Sequence, residues 1–112
     1  GRVNRFYLGF SYKSMKTISK AINFQWDKGN INKNFYKHEV TDTECEEVFF
    51  DNKKIVLKDV LHSAKELRYI LLGQTKRNRQ LFTVFTFRNK KIRIISSRGI
   101  NNKEKKLYEK TD

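Results

Sequence analysis

Basic residues crowd one stretch of the sequence that also has the alternating pattern of β-strands. From Lys76 to Lys103 there are nine lysines and arginines and no aspartate or glutamate. Within it, residues 81–87 are rich in phenylalanine, threonine and valine, and residues 92–97 begin with alternating isoleucine and arginine, which predicts a hairpin of two strands. Arginine binds phosphate through two parallel N–H groups, so the stretch indicates a surface for a polyanion. A solvated basic hairpin without a ligand has the same composition, and charge alone leaves both interpretations open.

Composition limits the classes of protein to which the chain can belong. Its 112 residues fit one domain, and its net charge of +13 favours RNA, DNA, an anionic membrane surface or an acidic protein as partner. No apolar run approaches the roughly 18 residues of a membrane-spanning helix. The single Cys45 excludes an internal disulfide and fits a reducing compartment. We therefore expect a cytoplasmic protein that is not inserted in a membrane. The two histidines and the one cysteine lie far apart in the sequence, so we expect no metal site, and we expect no cofactor.

The first helix is predicted to follow Asp27, whose carboxylate can accept hydrogen bonds from the free N–H groups of a first turn. A short strand is predicted before it, at residues 22–26, because the pattern INFQW alternates. Apolar residues at helical spacing then predict a helix over residues 28–38. The inward face of this helix is predicted to consist of Ile31, Phe35 and His38.

The second helix carries a stronger start signal. Thr41 and Glu44 have the spacing of a capping box, and Val40 and Cys45 have that of a hydrophobic staple. We expect this helix to end near Phe50, with Cys45 packed in the core.

The C-terminal half contains four predicted strands and one predicted helix, at residues 54–58, 66–75, 81–87, 92–97 and 103–110. Short turns between strands predict an antiparallel sheet. The predicted class is therefore α+β, with helices packed on one face and the order β-α-α-β-β-β-β-α. Glu66 and Arg68 lie two residues apart on one strand and share a face. They could form a structural ion pair or the paired acid and base of an RNA site.

The domain organisation is predicted to be simple. Residues 1–19 are assigned as an N-terminal extension and residues 20–112 as the functional domain. The extension mixes basic and aromatic residues with no acid. That composition fits an added strand, a basic aromatic arm on RNA, or a segment added to the native protein.

Several segments occur in an order that matches a known family. They are FQWD at residues 24–27, a helix ending in Lys37-His38, EEVFFD at 46–51, ELRYILLGQT at 66–75, VFTFR at 84–88, and IRIISSR at 92–98 followed by KEKKLYE. Over about residues 22–109 the chain resembles the BrnT family of ribonuclease toxins from bacterial type II toxin–antitoxin modules. Two positions depart from the family pattern. Glu39 stands where the family usually has glycine, and Asn30 stands where it often has lysine.

The resemblance implies a RelE-like fold and metal-independent cleavage of RNA that blocks translation. It also implies a BrnA-like antitoxin of the ribbon-helix-helix type, which neutralises the toxin and carries the complex to operator DNA. The residues that fit the family pattern are Lys37, His38, Glu66, Arg68, Arg88, Arg93 and Arg98.

Roles for these residues follow from what RNA hydrolysis requires. We expect Arg68, Arg93 and Arg98 to hold the scissile phosphate. Glu66 or His38 would act as base or acid, with a pKa moved towards the working pH, and Lys37 would add positive charge. The expected products are a 2′,3′-cyclic phosphate and a 5′-hydroxyl. The predicted RNA-binding residues of the hairpin are Arg79, Arg88, Lys90 and Lys91.

Two other functions fit the sequence. A non-enzymatic module could bind RNA or DNA and stack bases on Phe82, Phe85 and Phe87, although their alternation places most of these rings in the core. A protein-interaction subunit could use the same positive surface to bind an acidic partner. Detection of a cut RNA product separates the enzyme from the binding module.

Overall fold

The structure, a computed structural model, describes residues 10–12, 23–61 and 65–110 of the chain. Within these ranges the strands are β1 Phe10–Tyr12, β2 Ile55–Asp59, β3 Arg68–Gln74, β4 Gln80–Arg88 and β5 Lys91–Gly99. The helices are α1 Lys33–His38, α2 Asp42–Glu47, a 3-10 helix at Val48–Phe50 that continues α2, and α3 Asn102–Lys110. None of these described helices is long and apolar enough to cross a membrane.

The five described strands form one antiparallel sheet in chain order, so each strand pairs with the next. This arrangement confirms the predicted α+β class. The strand predicted at residues 22–26 is wrong, because Phe24 makes only an isolated parallel bridge to Ile92 and Ile22 lies outside the described residues. The first described strand is β1, which lies within the segment assigned as an extension. It pairs with β2 and forms the edge of the sheet opposite to β5.

Helices cover both faces of the sheet, so the prediction of one covered face is wrong. On one face the 3-10 helix contributes Phe49 to a cluster that includes Leu71 of β3. On the other face Leu107 of α3 packs with Ile70 and Leu72. Because neighbouring strand residues point to opposite faces, β3 is buried on both sides. The terminal helix needs an apolar surface of its own, and the second face of the sheet supplies it.

Polar side chains cover the outer edge of β5. Asn30 Nδ2 donates to the carbonyl oxygen of Ile94 at 3.3 Å, and Asn34 Oδ1 accepts from the N–H of Ser97 at 2.9 Å. Both asparagines are buried. They satisfy backbone groups that an edge strand would otherwise leave without partners, which fixes α1 against β5.

The two predicted helix starts had different outcomes. Helix α1 begins at Lys33 instead of residue 28, and Asp27 does not cap it. The residue before α1 is Asn32, which adopts a left-handed conformation with φ of 56° and makes no side-chain cap. Helix α2 begins as predicted, and the capping box between Thr41 and Glu44 is present in both directions.

The predicted inward face of α1 is also wrong. Ile31 and Phe35 are 51% and 48% exposed, and His38 is exposed as well. The helix instead turns the polar Asn34 inward, because the backbone groups at the edge of β5 require hydrogen-bond partners. The core assignment of Cys45 is confirmed: it is fully buried, and burial raises the pKa of its thiol to about 12.

Candidate active site

A cleft of about 140 Å³ opens at the end of the sheet where β3 begins and β4 ends. Its walls come from the loop before α1, the first residue of α1, and the ends of three strands. We term it the arginine cleft and define it by its lining residues, which are Gly29, Asn30, Lys33, Glu66, Arg68, Arg88, Arg93, Ile94 and Ile95. It gathers three arginines that the sequence separates.

Strand register places these arginines on one face of the sheet. Arg93 of β5 pairs with Thr86 of β4, and Arg88 lies two residues further along the same strand. Arg68 shares a face with Ile70 because side chains alternate along a strand. Continued by one residue, the register of β3 and β4 brings Arg68 next to Thr86. Three neighbouring guanidinium groups repel one another unless anionic groups neutralise them. Two carboxylates lie against them in this structure.

The first carboxylate belongs to Asp27. Its oxygens accept from Nη1 and Nη2 of Arg93 at 2.8 and 3.0 Å, and Gln25 Oε1 accepts from Nη1 at 3.2 Å. The hydrogen bond from Arg93 is the main cause that lowers the pKa of Asp27, and the Gly29 N–H contributes as well. The Arg93 side chain is only 12% exposed, so this bidentate pair fixes its guanidinium within the cleft wall.

The second carboxylate belongs to Glu66. Arg88 donates from Nε at 3.2 Å and from Nη2 at 2.9 Å to its two oxygens. This hydrogen bond is the main cause that lowers the pKa of Glu66, and the charges of Arg68 and Arg93 act in the same direction. The pKa of Glu66 was expected to move towards the working pH, but in this structure it is lowered. Glu66 is ionised at neutral pH and is only a weak base here.

The lysine of the cleft comes from α1. The Lys33 Nζ lies 3.5 Å from the carbonyl oxygen of Ile95, at the limit of a hydrogen bond.

Ile95 is the extra residue of β5 at an irregularity in the pairing with β4. Such a bulge re-aims neighbouring side chains. Here the extra residue puts Arg93 and Arg98 on the same face of the sheet, since the two residues of β4 with which they pair also share a face.

A family model described as "Ribonuclease toxin, BrnT, of type II toxin-antitoxin system" matches residues 26–104. The chain belongs to the BrnT family. The matched range includes every residue that lines the arginine cleft. No curated protein matches the chain.

The structure brings together four of the residues that the BrnT resemblance singled out, Glu66, Arg68, Arg88 and Arg93. It does not bring Lys37 or His38 to this cleft, because both lie exposed at the C-terminal end of α1. Lys90 and Lys91 are exposed at the turn after Arg88, beside the cleft. Catalytic roles for Lys37 and His38 stay predictions.

Arg98 is held outside the arginine cleft. Its Nη1 and Nη2 donate to the two oxygens of Glu104 at 2.9 and 2.8 Å, and its guanidinium lies 4.1 Å above the Phe82 ring. Glu104 also accepts from the N–H of Asn101, while its own N–H donates to Asn101 Oδ1. Arg98 thus joins β5 to the capped start of α3, and its predicted contact with the scissile phosphate stays a prediction.

Arg79, predicted to bind RNA, contacts the protein itself. Its Nη1 and Nη2 donate to the carbonyl oxygens of Glu39 and His38 at 2.6 and 3.2 Å, and Nη1 also lies 3.3 Å from Glu44. It therefore stabilises the C-terminal end of α1, where backbone carbonyls lack helical partners. Glu39 itself has φ of 57°, a left-handed conformation that favours glycine.

The aromatic rings proposed for base stacking are largely occupied by the core. Phe85 is fully buried, and Phe82 lies beneath the Arg98 guanidinium. Phe87 is 39% exposed but makes edge contacts with Tyr69 and Phe85. The geometry therefore gives little support to a surface built on stacking.

Sequence reasoning missed four residues that shape the cleft, Gln25, Asp27, Gly29 and Lys33. The sequence predicts a helix cap at Asp27, since an aspartate before a helical pattern is the usual cap. The FQWD segment of the resemblance contains Asp27 and was the one signal available for it. Gly29 and Lys33 had no signal, because their role depends on the position of β5.

Proposed function

We propose that the chain is a metal-independent endoribonuclease whose arginine cleft holds the scissile phosphate of RNA. The observation that carries this proposal is the convergence of Arg68, Arg88 and Arg93 from three strands on one cleft. Guanidinium groups can stabilise the negative charge that develops on phosphate oxygens in the transition state. Membership of a family described as ribonuclease toxins supports RNA as the substrate.

The proposed reaction is an internal transesterification. The ribose 2′-oxygen attacks the adjacent phosphorus, and the bond from phosphorus to the 5′-oxygen of the next nucleotide breaks. A base takes the proton of the 2′-hydroxyl, and an acid gives a proton to the departing 5′-oxygen. The products are a 2′,3′-cyclic phosphate and a 5′-hydroxyl end.

Glu66 is the proposed base, and its pairing with Arg88 sets the condition for that role. A phosphate that takes over the hydrogen bonds of Arg88 removes the main cause of the lowered Glu66 pKa. Substrate binding would thereby strengthen the base at the place where the 2′-hydroxyl arrives. His38 is the alternative acid or base, and it would have to act from the end of α1.

The biological setting is part of the proposal. Cleavage of RNA would block translation in the cytoplasm, and a BrnA-like ribbon-helix-helix antitoxin would neutralise the toxin and carry it to operator DNA. The family description supports an antitoxin partner in general, and the net charge of +13 favours a partner with an acidic surface. We propose that the α+β architecture is of the RelE-like type.

The test is cleavage of a labelled RNA in EDTA by purified protein free of any partner. Arg68→Ala removes a cleft cation, and Arg77→Ala is the matched control because Arg77 is exposed at the turn between β3 and β4. We expect the parent and Arg77→Ala to cut and Arg68→Ala to lose most of the activity. Binding without cleavage would leave two alternatives, a ribosome-dependent toxin and the non-enzymatic module. Undiminished cleavage by Arg68→Ala and Arg93→Ala would exclude the arginine cleft as the site.

A further inference from the structure

Arg93 is held by a segment of the chain that is itself fixed to β5. The N–H of Ile92 donates to the carbonyl oxygen of Asn23, and the N–H of Gln25 donates to that of Ile92, both at 2.8 Å. Gln25 and Asp27 then bind Nη1 and Nη2 of Arg93. The backbone bridge and the side-chain pair thus fix one end of the guanidinium from the same segment.

This arrangement leaves the other edge of the guanidinium directed away from its partners. Nη1 donates to Gln25 and Asp27, and Nη2 donates to one oxygen of Asp27. The Nε–H and the second Nη2–H of Arg93 have no acceptor among the described residues. These two donors are parallel in a guanidinium and match two oxygens of a phosphate.

Gly29 lies against the side of the guanidinium that is paired with Asp27. A Cβ atom at Gly29 would lie 2.7 Å from Arg93 Nη2 and 3.2 Å from Asp27 Oδ1. No described glycine has a positive φ, so Gly29 is required here for space and not for backbone conformation. The obstructed atom is the tip of a flexible side chain, so an alanine would displace the guanidinium at little cost to folding.

We propose that Asp27 and Gly29 are positioning residues that aim the Nε and Nη2 edge of Arg93 at the scissile phosphate. Asp27 fixes the direction of the guanidinium, and the missing side chain of Gly29 leaves room for the hydrogen bond between Nη2 and Asp27. The inference rests on the proposed function, since it assigns how one arginine of that site is oriented. Displacement of a charged group by about 1 Å is enough to lower a catalytic rate on the order of ten- to a hundred-fold.

The test is a double-mutant cycle on Gly29→Ala and Arg93→Ala. We expect Gly29→Ala to lower kcat on the order of ten-fold or more, with a smaller change in KM and an unchanged thermal unfolding midpoint. In the Arg93→Ala background the same substitution should have no further effect. Gly99→Ala is the matched control, because nothing lies within 4 Å of its added Cβ. Asp27→Asn, which keeps the shape but weakens the pair, should lower kcat in the same way.

Each result decides between the two proposals. If Gly29→Ala cleaves like Gly99→Ala, or lowers cleavage equally with and without Arg93, the positioning role is wrong while the ribonuclease stands. If the parent binds RNA but does not cut it, the proposed activity on free RNA is wrong. The affinity for a 2′-O-methyl oligonucleotide then tests the positioning role. The positioning role is supported if Gly29→Ala weakens binding when Arg93 is present and has no effect in the Arg93→Ala background. It is overturned if Gly29→Ala binds the oligonucleotide as tightly as the parent.

Discussion

The Arg88 guanidinium donates two hydrogen bonds to the Glu66 carboxylate, at 3.2 and 2.9 Å. The side chains are 47% and 31% exposed, so water screens the pair. The pair nevertheless lowers the pKa of Glu66, and it joins a loop residue to the last residue of β4. The protein without substrate thus holds its proposed base and one of its proposed phosphate-binding arginines against each other.

The pH dependence of stability reports on this pair. The folded-state pKa of Glu66 lies below its ordinary value of 4.5, so the pair's contribution to stability is present above that value. It is lost as the pH falls through the lowered pKa. We expect the difference in unfolding free energy between the parent and Glu66→Gln to be constant from about pH 6 to 8 and to shrink below about pH 4.5.

Urea unfolding at a series of pH values measures this difference. Glu109→Gln is a suitable control, since Glu109 is exposed on α3. A difference that changes most steeply near pH 7 would mean that the pKa of Glu66 is raised in the folded protein.

The second prediction concerns the end of α1. Glu39 adopts φ of 57° and ψ of 34°, a left-handed conformation in which a Cβ atom is strained. Glu39→Gly should therefore stabilise the protein by about 1 kcal/mol, as the measured free energy of unfolding in urea. Glu39→Ala removes the carboxylate but keeps the Cβ atom and should give no such gain. Equal stabilisation by both variants would attribute the effect to charge instead of backbone strain.

The parts of the fold that sequence predicted are those fixed by local patterns. Residues 81–87 and 92–97 are rich in β-branched and aromatic side chains, which favour strands, and β4 and β5 include these stretches. The capping box of Thr41 and Glu44 is equally local, since both partners lie within one helical turn. Such features need no knowledge of the rest of the chain.

The parts that sequence did not predict depend on distant partners. Asp27 and Arg93 are 66 residues apart in the chain, and the local pattern around Asp27 indicates only a helix cap. Similarly, nothing near α3 shows that it covers the second face of the sheet, where Leu107 meets Ile70. Register between strands, more than composition, decided which basic residues share the cleft.

The third prediction tests the structural role of Arg98. The Glu104 side chain is only 6% exposed and relies on Arg98 for two hydrogen bonds. Arg98→Met should lower the unfolding free energy by about 1–3 kcal/mol, because a nearly buried carboxylate loses its partner. Adding Glu104→Gln should recover part of that loss in a double-mutant cycle. A loss of RNA cleavage well beyond the loss of folded protein would instead support the phosphate-binding role expected from sequence.

The last prediction uses two glycines of the same sheet. A Cβ atom at Gly73 would lie 2.9 Å from the Val48 carbonyl oxygen and 2.7 Å from Leu71 Cδ2, whereas one at Gly99 meets nothing within 4 Å. The Val48 carbonyl belongs to the 3-10 helix and cannot move without shifting the core. Gly73→Ala should therefore cost about 1–3 kcal/mol of unfolding free energy in urea. Gly99→Ala should leave stability unchanged or raise it by about 0.5 kcal/mol, since alanine restricts the unfolded chain. Equal stability of the two variants would mean that the 3-10 helix does not pack closely on β3.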